Sequence, residues 1–149
     1  MQISTRGRYG LRSMVDLTLH GSEGPLALRT IADRQGISES YLEQVFNSLR
    51  KAGLVKSLRG AQGGYELGRP AKEISVGDIL RALEGPIVPV HCVGELTDGQ
   101  VCPRENFCIT RPFWEELKDI VNDFLDKKSL QNLADQARLA MPEEPMYYI

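Results

Sequence analysis

Ile37-Ser38-Glu39-Ser40-Tyr41-Leu42-Glu43-Gln44-Val45-Phe46-Asn47-Ser48-Leu49-Arg50-Lys51-Ala52-Gly53 carries the strongest local signal in the chain. Leu42, Val45, Phe46 and Leu49 recur at i, i+3, i+4 and i+7, the apolar stripe of an amphipathic helix. Ser38 precedes it, where a hydroxyl accepts from an otherwise orphan backbone N–H. Lys51 falls in the last turn and Gly53 ends it, so the spacing predicts a helix over 39–52, about 20 Å long. Ser38, Ser40, Tyr41, Glu43, Gln44 and Asn47 lie on or near its polar face.

Upstream, Leu28–Gln35 reads as a short helix with Leu28, Ile31 and Ala32 inward, stopped by Gly36. Thr5–His20 is a longer one, with Leu11, Met14, Val15 and Leu19 at helical spacing, Ser4 or Thr5 as its cap and Gly21 placed as a left-handed terminal residue. His20 suits the negative end of that helix's dipole. Downstream, Leu54–Leu58 and Gly64–Leu67 are two short strand-like runs joined by Arg59-Gly60-Ala61-Gln62-Gly63, a basic, glycine-rich hairpin tip. Ser75 caps a further helix, Val76–Leu83, with Asp78 three residues on and Gly85 closing it.

A short helix, a tight turn with glycine, a capped second helix and a basic hairpin make a winged helix-turn-helix. Such a unit reads DNA when short polar side chains near the start of the second helix reach base edges in the major groove, and when an Arg on a small-residue wing enters the minor groove. Ser38, Ser40, Tyr41, Glu43 and Gln44 meet the first requirement, and Arg59 with Gly60 meets the second. Gln44 can pair with adenine, and Glu43 can accept from cytosine N4 or repel a wrong sequence. A winged helix that binds protein instead is the competing reading, and the negative charges of Glu39 and Glu43 keep it open.

Charge is divided along the chain. Residues 1–70 hold ten Lys/Arg against six Asp/Glu, whereas residues 71–149 hold eight against fourteen, so the net charge of −2 conceals a basic first half suited to a polyanion. No run of about 18 apolar residues is present, which argues against a membrane-spanning helix. Met1–Arg8 carries charge with no apolar run behind it, so no secretory signal is expected and the cytoplasm is the expected compartment. No nucleophile–base pair, nucleotide loop or paired-carboxylate motif is visible, and no enzyme is expected.

From 86 to 111, prolines 86, 89 and 103 and glycines 94 and 99 break all periodicity, leaving a long loop of the kind that is functional or disordered. All three cysteines lie in it: Cys92, nine residues, Cys102, five residues, Cys108. An odd, clustered set in a cytoplasmic chain points to a metal or redox site rather than a disulfide framework. This is not the paired C-x-x-C spacing of a zinc ribbon, and zinc, an iron–sulfur cluster and a thiol switch all stay open. After the loop, Thr110-Arg111-Pro112 starts a helix whose apolar stripe (Phe113, Trp114, Leu117, Ile120, Val121, Phe124, Leu125) exceeds what a small DNA-binding domain needs. It is expected to form a homodimer. The tail Met141–Ile149 is expected to be irregular. The chain thus divides into a DNA-binding domain (1–85), a cysteine loop (86–111), and a dimerisation helix with its tail (112–149). The fold is mainly α with a small β-hairpin wing and a long C-terminal dimerisation helix.

Ser40-Tyr41-Leu42-Glu43-Gln44-Val45-Phe46, Leu49-Arg50-Lys51-Ala52-Gly53-Leu54-Val55, Arg59-Gly60 and Gly63-Gly64-Tyr65, with the opening Gly7-Arg8-Tyr9-Gly10-Leu11-Arg12, resemble the IscR-type regulators of the Rrf-two family. That family also holds the NsrR and CymR regulators of nitric-oxide and cysteine metabolism. The resemblance covers nearly the whole chain. It implies a homodimeric repressor or activator of iron–sulfur biogenesis genes, bound to a pseudo-palindromic operator in double-stranded DNA. It also implies an iron–sulfur cluster, [2Fe-2S] in type, on Cys92, Cys102 and Cys108. The interval between the first two cysteines is longer than in the best-known members, by an insertion around 94–100.

The fourth ligand departs from the family pattern. Where IscR-type members place a histidine three residues after the last cysteine, this chain has Arg111, and where NsrR uses an N-terminal aspartate it has Arg8. His91 is the first substitute, with Glu95, Asp98 and Glu105 behind it. In the cluster reading, occupancy orders the loop and shifts Glu43 or the recognition helices. A zinc-stapled module and a CymR-like regulator controlled by a partner enzyme are the rivals.

Overall fold

The computed structural model describes residues 1–94 and 102–142. Three helices open the chain: α1 Thr5–His20, α2 Leu28–Gln35 and α3 Glu39–Lys51. The hairpin β1 Val55–Leu58 and β2 Gly64–Leu67 follows, then α4 Val76–Glu84, α5 Arg111–Lys127 and α6 Leu130–Ala140, with single 3-10 turns at Ala71–Glu73 and His91–Val93.

The caps form as the sequence indicates. Ser4 accepts from the Gly7 N–H, Ser38 from Tyr41 N–H, and Ser75 and Asp78 form a reciprocal capping box at α4. Gly36 ends α2 at φ 66°, the left-handed turn that lets α3 leave in a new direction. Gly21 differs from expectation: at φ −91° it is not left-handed, and its N–H simply continues the α1 ladder to the Leu17 carbonyl.

The strands pair antiparallel from Val55 opposite Leu67 to Leu58 opposite Gly64. A third segment joins them. Leu26 and Tyr65 exchange two backbone hydrogen bonds, 2.9 and 2.8 Å, and the Leu26 carbonyl passes so near Gly64 that a β-carbon there would collide with it.

Met14 and Leu17 of α1, Ile31 of α2, Leu42, Phe46 and Leu49 of α3, and Ile79 of α4 converge in one core. The Phe46 ring meets Tyr65 edge-on at 5.0 Å, fastening the wing to the recognition helix. α1 and α4 cross closely because Gly7 faces Glu84 and Gly10 faces Leu83.

The C-terminal segment is not one helix with a tail. A second capping box, Ser129 with Asn132, starts α6. The entries of α4 and α6 are pinned together by Val76 N–H to Lys128 O and Leu130 N–H to Ile74 O, both 2.8 Å. Leu130 and Ala134 are fully buried, and Leu130 belongs to the core of the N-terminal unit. The stripe of α5 divides: Val121 and Leu125 pack on Val76, Leu80 and Ile87, while Phe113, Ile120 and Phe124 stay 58–59% exposed. Among the described residues no helix is long and apolar enough to cross a membrane.

Candidate nucleic-acid interface and cysteine loop

The recognition helix is held from behind by its apolar stripe, so its other face is open. Ser38, Ser40, Glu43, Gln44 and Asn47 are exposed. Tyr41 is half-buried: its ring packs edge-on against Tyr9 at 6.0 Å, and the Arg12 guanidinium lies over Tyr9 at 5.3 Å. Its side chain is therefore partly committed to the fold. Arg59 and Gly60 are exposed at the wing tip, as expected. Sequence reasoning passed over two further basic groups. Lys56 is exposed on β1, and Arg50 donates to the Asn47 side-chain oxygen at 2.8 Å. Exposed cations beside a reading helix supply phosphate contacts, which position a protein without specifying sequence.

The cysteine loop leaves α4 at Gly85 and is fastened at both ends of its first segment. Ile87 and Val93 are buried, the Asn122 amide donates to the Ile87 carbonyl at 2.9 Å, and Lys118 Nζ donates to the Val93 carbonyl at 3.3 Å. Cys92, Cys102 and Cys108 are free and half-buried, whereas His91 is exposed. The Thr110 hydroxyl lies 3.4 Å from Cys108 Sγ, and its hydrogen bond, helped by backbone N–H groups and nearby Arg111, lowers the thiol pKa below the usual cysteine value.

Arg111 opens α5 and is bound to Glu115 at 3.0 Å and Glu105 at 3.6 Å, with Cys92 also in electrostatic reach. Glu105 is thus engaged by a cation, and Glu95 and Asp98 lie outside the described residues. Three thiols, one eased toward thiolate, are the right donor type for a thiophilic metal or cluster. Among the described residues, however, no three Cys, His, Asp or Glu side chains are gathered closely enough to hold a metal ion. The donor chemistry fits and the present arrangement does not.

Residues 3–136 match the family model described as "Rrf2: Iron-dependent Transcriptional regulator". The chain belongs to the Rrf2 family. It is 42% identical over 135 residues to the HTH-type transcriptional regulator IscR of Pectobacterium carotovorum, covering 91% of this chain and 80% of that one. It is 45% identical over 149 residues to the HTH-type transcriptional regulator CymR of Bacillus subtilis, covering both chains fully. The solved structure of T. potens IscR superposes with a TM-score of 0.75 at 44% identity, over 99% of this chain and 97% of that one.

This Rrf2 chain is accordingly a DNA-binding transcription regulator and not an enzyme. Its winged helix-turn-helix is the family's fold. Similarity to IscR and to CymR is nearly equal, so the family assignment leaves the signal open.

Proposed function

We propose that this Rrf2 protein is a homodimeric, cytoplasmic repressor or activator of iron–sulfur biogenesis genes whose operator binding is set by the cysteine loop. Ser38, Ser40, Glu43 and Gln44 read a half-site in the major groove, with Tyr41 braced on Tyr9 beside them and Arg59 and Gly60 entering the minor groove. The exposed row Phe113, Ile120 and Phe124 joins α5 to a second copy, since large apolar side chains on one helix face gain most from being covered. Ile120→Glu with Phe124→Glu gives a monomer in sedimentation; a wild type that sediments as a monomer overturns the dimer.

What supports the sensing role is that Cys92, within electrostatic reach of Arg111 at the start of α5, adjoins the Val93 that Lys118 ties to that helix, and that Cys108 lies three residues before the helix begins. Cys92, Cys102 and Cys108 would hold an iron–sulfur cluster, [2Fe-2S] in type, which supplies sensitivity to iron and oxidant. Arg111 cannot serve as a ligand, and His91 is exposed and free to be the fourth. Anaerobic purification with iron, sulfide and zinc analysis tests this. A coloured protein with iron and sulfide supports it, and a colourless protein with zinc favours the structural staple. A Cys92/Cys102/Cys108→Ala triple variant that binds every operator like the reconstituted wild type removes the sensing role.

The full-length similarity to CymR favours one second reading, control by a partner protein with no cluster. Pull-down with cysteine-synthesis enzymes distinguishes it.

A further inference from the structure

Asn122 makes every hydrogen bond an asparagine side chain can make. Its amide donates to the Ile87 carbonyl and, within α5, to the Lys118 carbonyl, both at 2.9 Å. Its oxygen accepts from Arg81 Nε at 3.3 Å and Nη2 at 3.0 Å. Two donors and two acceptor positions are all an asparagine has, and both partner sets fix which way the amide faces, because a flipped amide would aim N–H groups at a guanidinium. Three segments distant in sequence meet on this one side chain: α4, the loop before Cys92, and α5. Arg81 adds an ion pair to Asp126 at 2.8 Å, and Lys118 adds the tie to Val93, the residue after Cys92.

The same turn of α4, its last, is linked to the recognition helix through α1. Arg6 Nε donates to the Leu83 carbonyl at 3.2 Å, and the same guanidinium donates to the Ser48 hydroxyl of α3. Gly7 and Gly10 leave no room between α1 and the last turn of α4, so α4 cannot shift there without moving α1. Polar contacts thus join Ile87 to Arg81 through Asn122 and Leu83 to Ser48 through Arg6, and the last turn of α4 carries Arg81 and Leu83 together.

We propose that Asn122 is the positioning residue through which the state of the cysteine loop reaches the recognition helix. This rests on the reading that the loop is the sensing element. The partners of Asn122 are Arg81 and two backbone carbonyls, so it acts by making the loop backbone and α4 move together. Hydrogen bonds of this kind contribute little net stability when made, but a wrong register leaves four polar groups unpaired, which favours one arrangement over graded ones.

The test uses the full chain, an operator selected from a randomised duplex library, and N-ethylmaleimide as the probe that alters the loop thiols. Asn122→Asp keeps the acceptor for Arg81 and removes the donor to Ile87; Lys118→Met removes only the Val93 tie and guards against a variant that fails to fold. Alkylation is expected to shift wild-type operator affinity by about fivefold or more. In Asn122→Asp the shift falls below about twofold while unmodified affinity is kept, and amide exchange over 86–94 quickens roughly two- to tenfold. Lys118→Met falls between. A wild type that does not respond overturns the sensing role and this proposal with it. A wild type that responds, beside an Asn122→Asp variant that responds equally, overturns the proposal alone. So does a lost response with unchanged exchange at 86–94.

Discussion

Arg34 grips Asp16 with two parallel bonds, Nη2 to Oδ1 at 2.6 Å and Nε to Oδ2 at 2.9 Å, and the Asp16 side chain is only 2% exposed. Gln35 adds a third bond to the same carboxylate at 2.8 Å, and Arg12 holds the Gln35 carbonyl at 2.7 Å. The hydrogen bond to Asp16 raises the Arg34 pKa, so the guanidinium stays charged at all working pH. Through it α2, the first helix of the DNA-reading pair, is locked to α1.

Removing Arg34 leaves a buried carboxylate with one neutral partner. Arg34→Ala should cost about 2–3 kcal/mol, less than a fully buried pair because the Arg34 side chain is 35% exposed. Urea unfolding measures it, and an unchanged midpoint would show that the pair contributes nothing.

Leu130 makes α6 part of the N-terminal core. Leu130→Ala should destabilise the protein by about 2–5 kcal/mol and Ser129→Ala by about 1 kcal/mol. If both melt like the wild type, α6 is an appendage and the core closes without it.

Glu43 and Arg59 should act oppositely on DNA. Arg59→Ala is expected to weaken operator binding about tenfold and reduce the salt slope by about one. Glu43→Ala should tighten binding to unrelated duplex and narrow the ratio of specific to nonspecific affinity. Fluorescence titration at several salt concentrations reads both, and an unaltered ratio would exclude Glu43 from the reading surface.

Of the groups that lower the Cys108 pKa, the Thr110 hydroxyl has the largest effect. The folded thiol has a lowered pKa, so this interaction adds stability above the unfolded thiol's pKa and loses it as pH falls through the folded one. Thr110→Val should move the pH profile of Cys108 alkylation upward, slowing the reaction near neutrality. Peptide mass spectrometry after timed iodoacetamide treatment checks this; an unmoved profile would assign the shift to the backbone N–H groups of residues 110 and 111 and the Arg111 charge.

The helices that cap and stop within a few residues of their own signals were readable from the chain alone. Ser38, Ser75 and Gly36 each act on neighbours no more than a turn away, and the stripe of α3 names its own buried face. The open face of α3, with Ser40, Glu43 and Gln44, followed from that stripe by subtraction. Tyr41 did not, because its packing partner Tyr9 lies two helices earlier. For α6 the capping box Ser129–Asn132 was available and passed over, its short apolar pattern being overshadowed by the stronger stripe of α5.

The three cysteines and the basic wing are matters of residue type and spacing, and these are local. Where the large side chains of α5 divide between core and surface depends on which other elements arrive beside them. The same holds for Asn122, whose partners Ile87 and Arg81 stand 35 and 41 residues away. Caps, turns and amphipathic faces are short-range energies that one sequence states directly. Which helix α6 returns to, and which backbone carbonyl finds Asn122, are long-range choices made when the whole core packs at once.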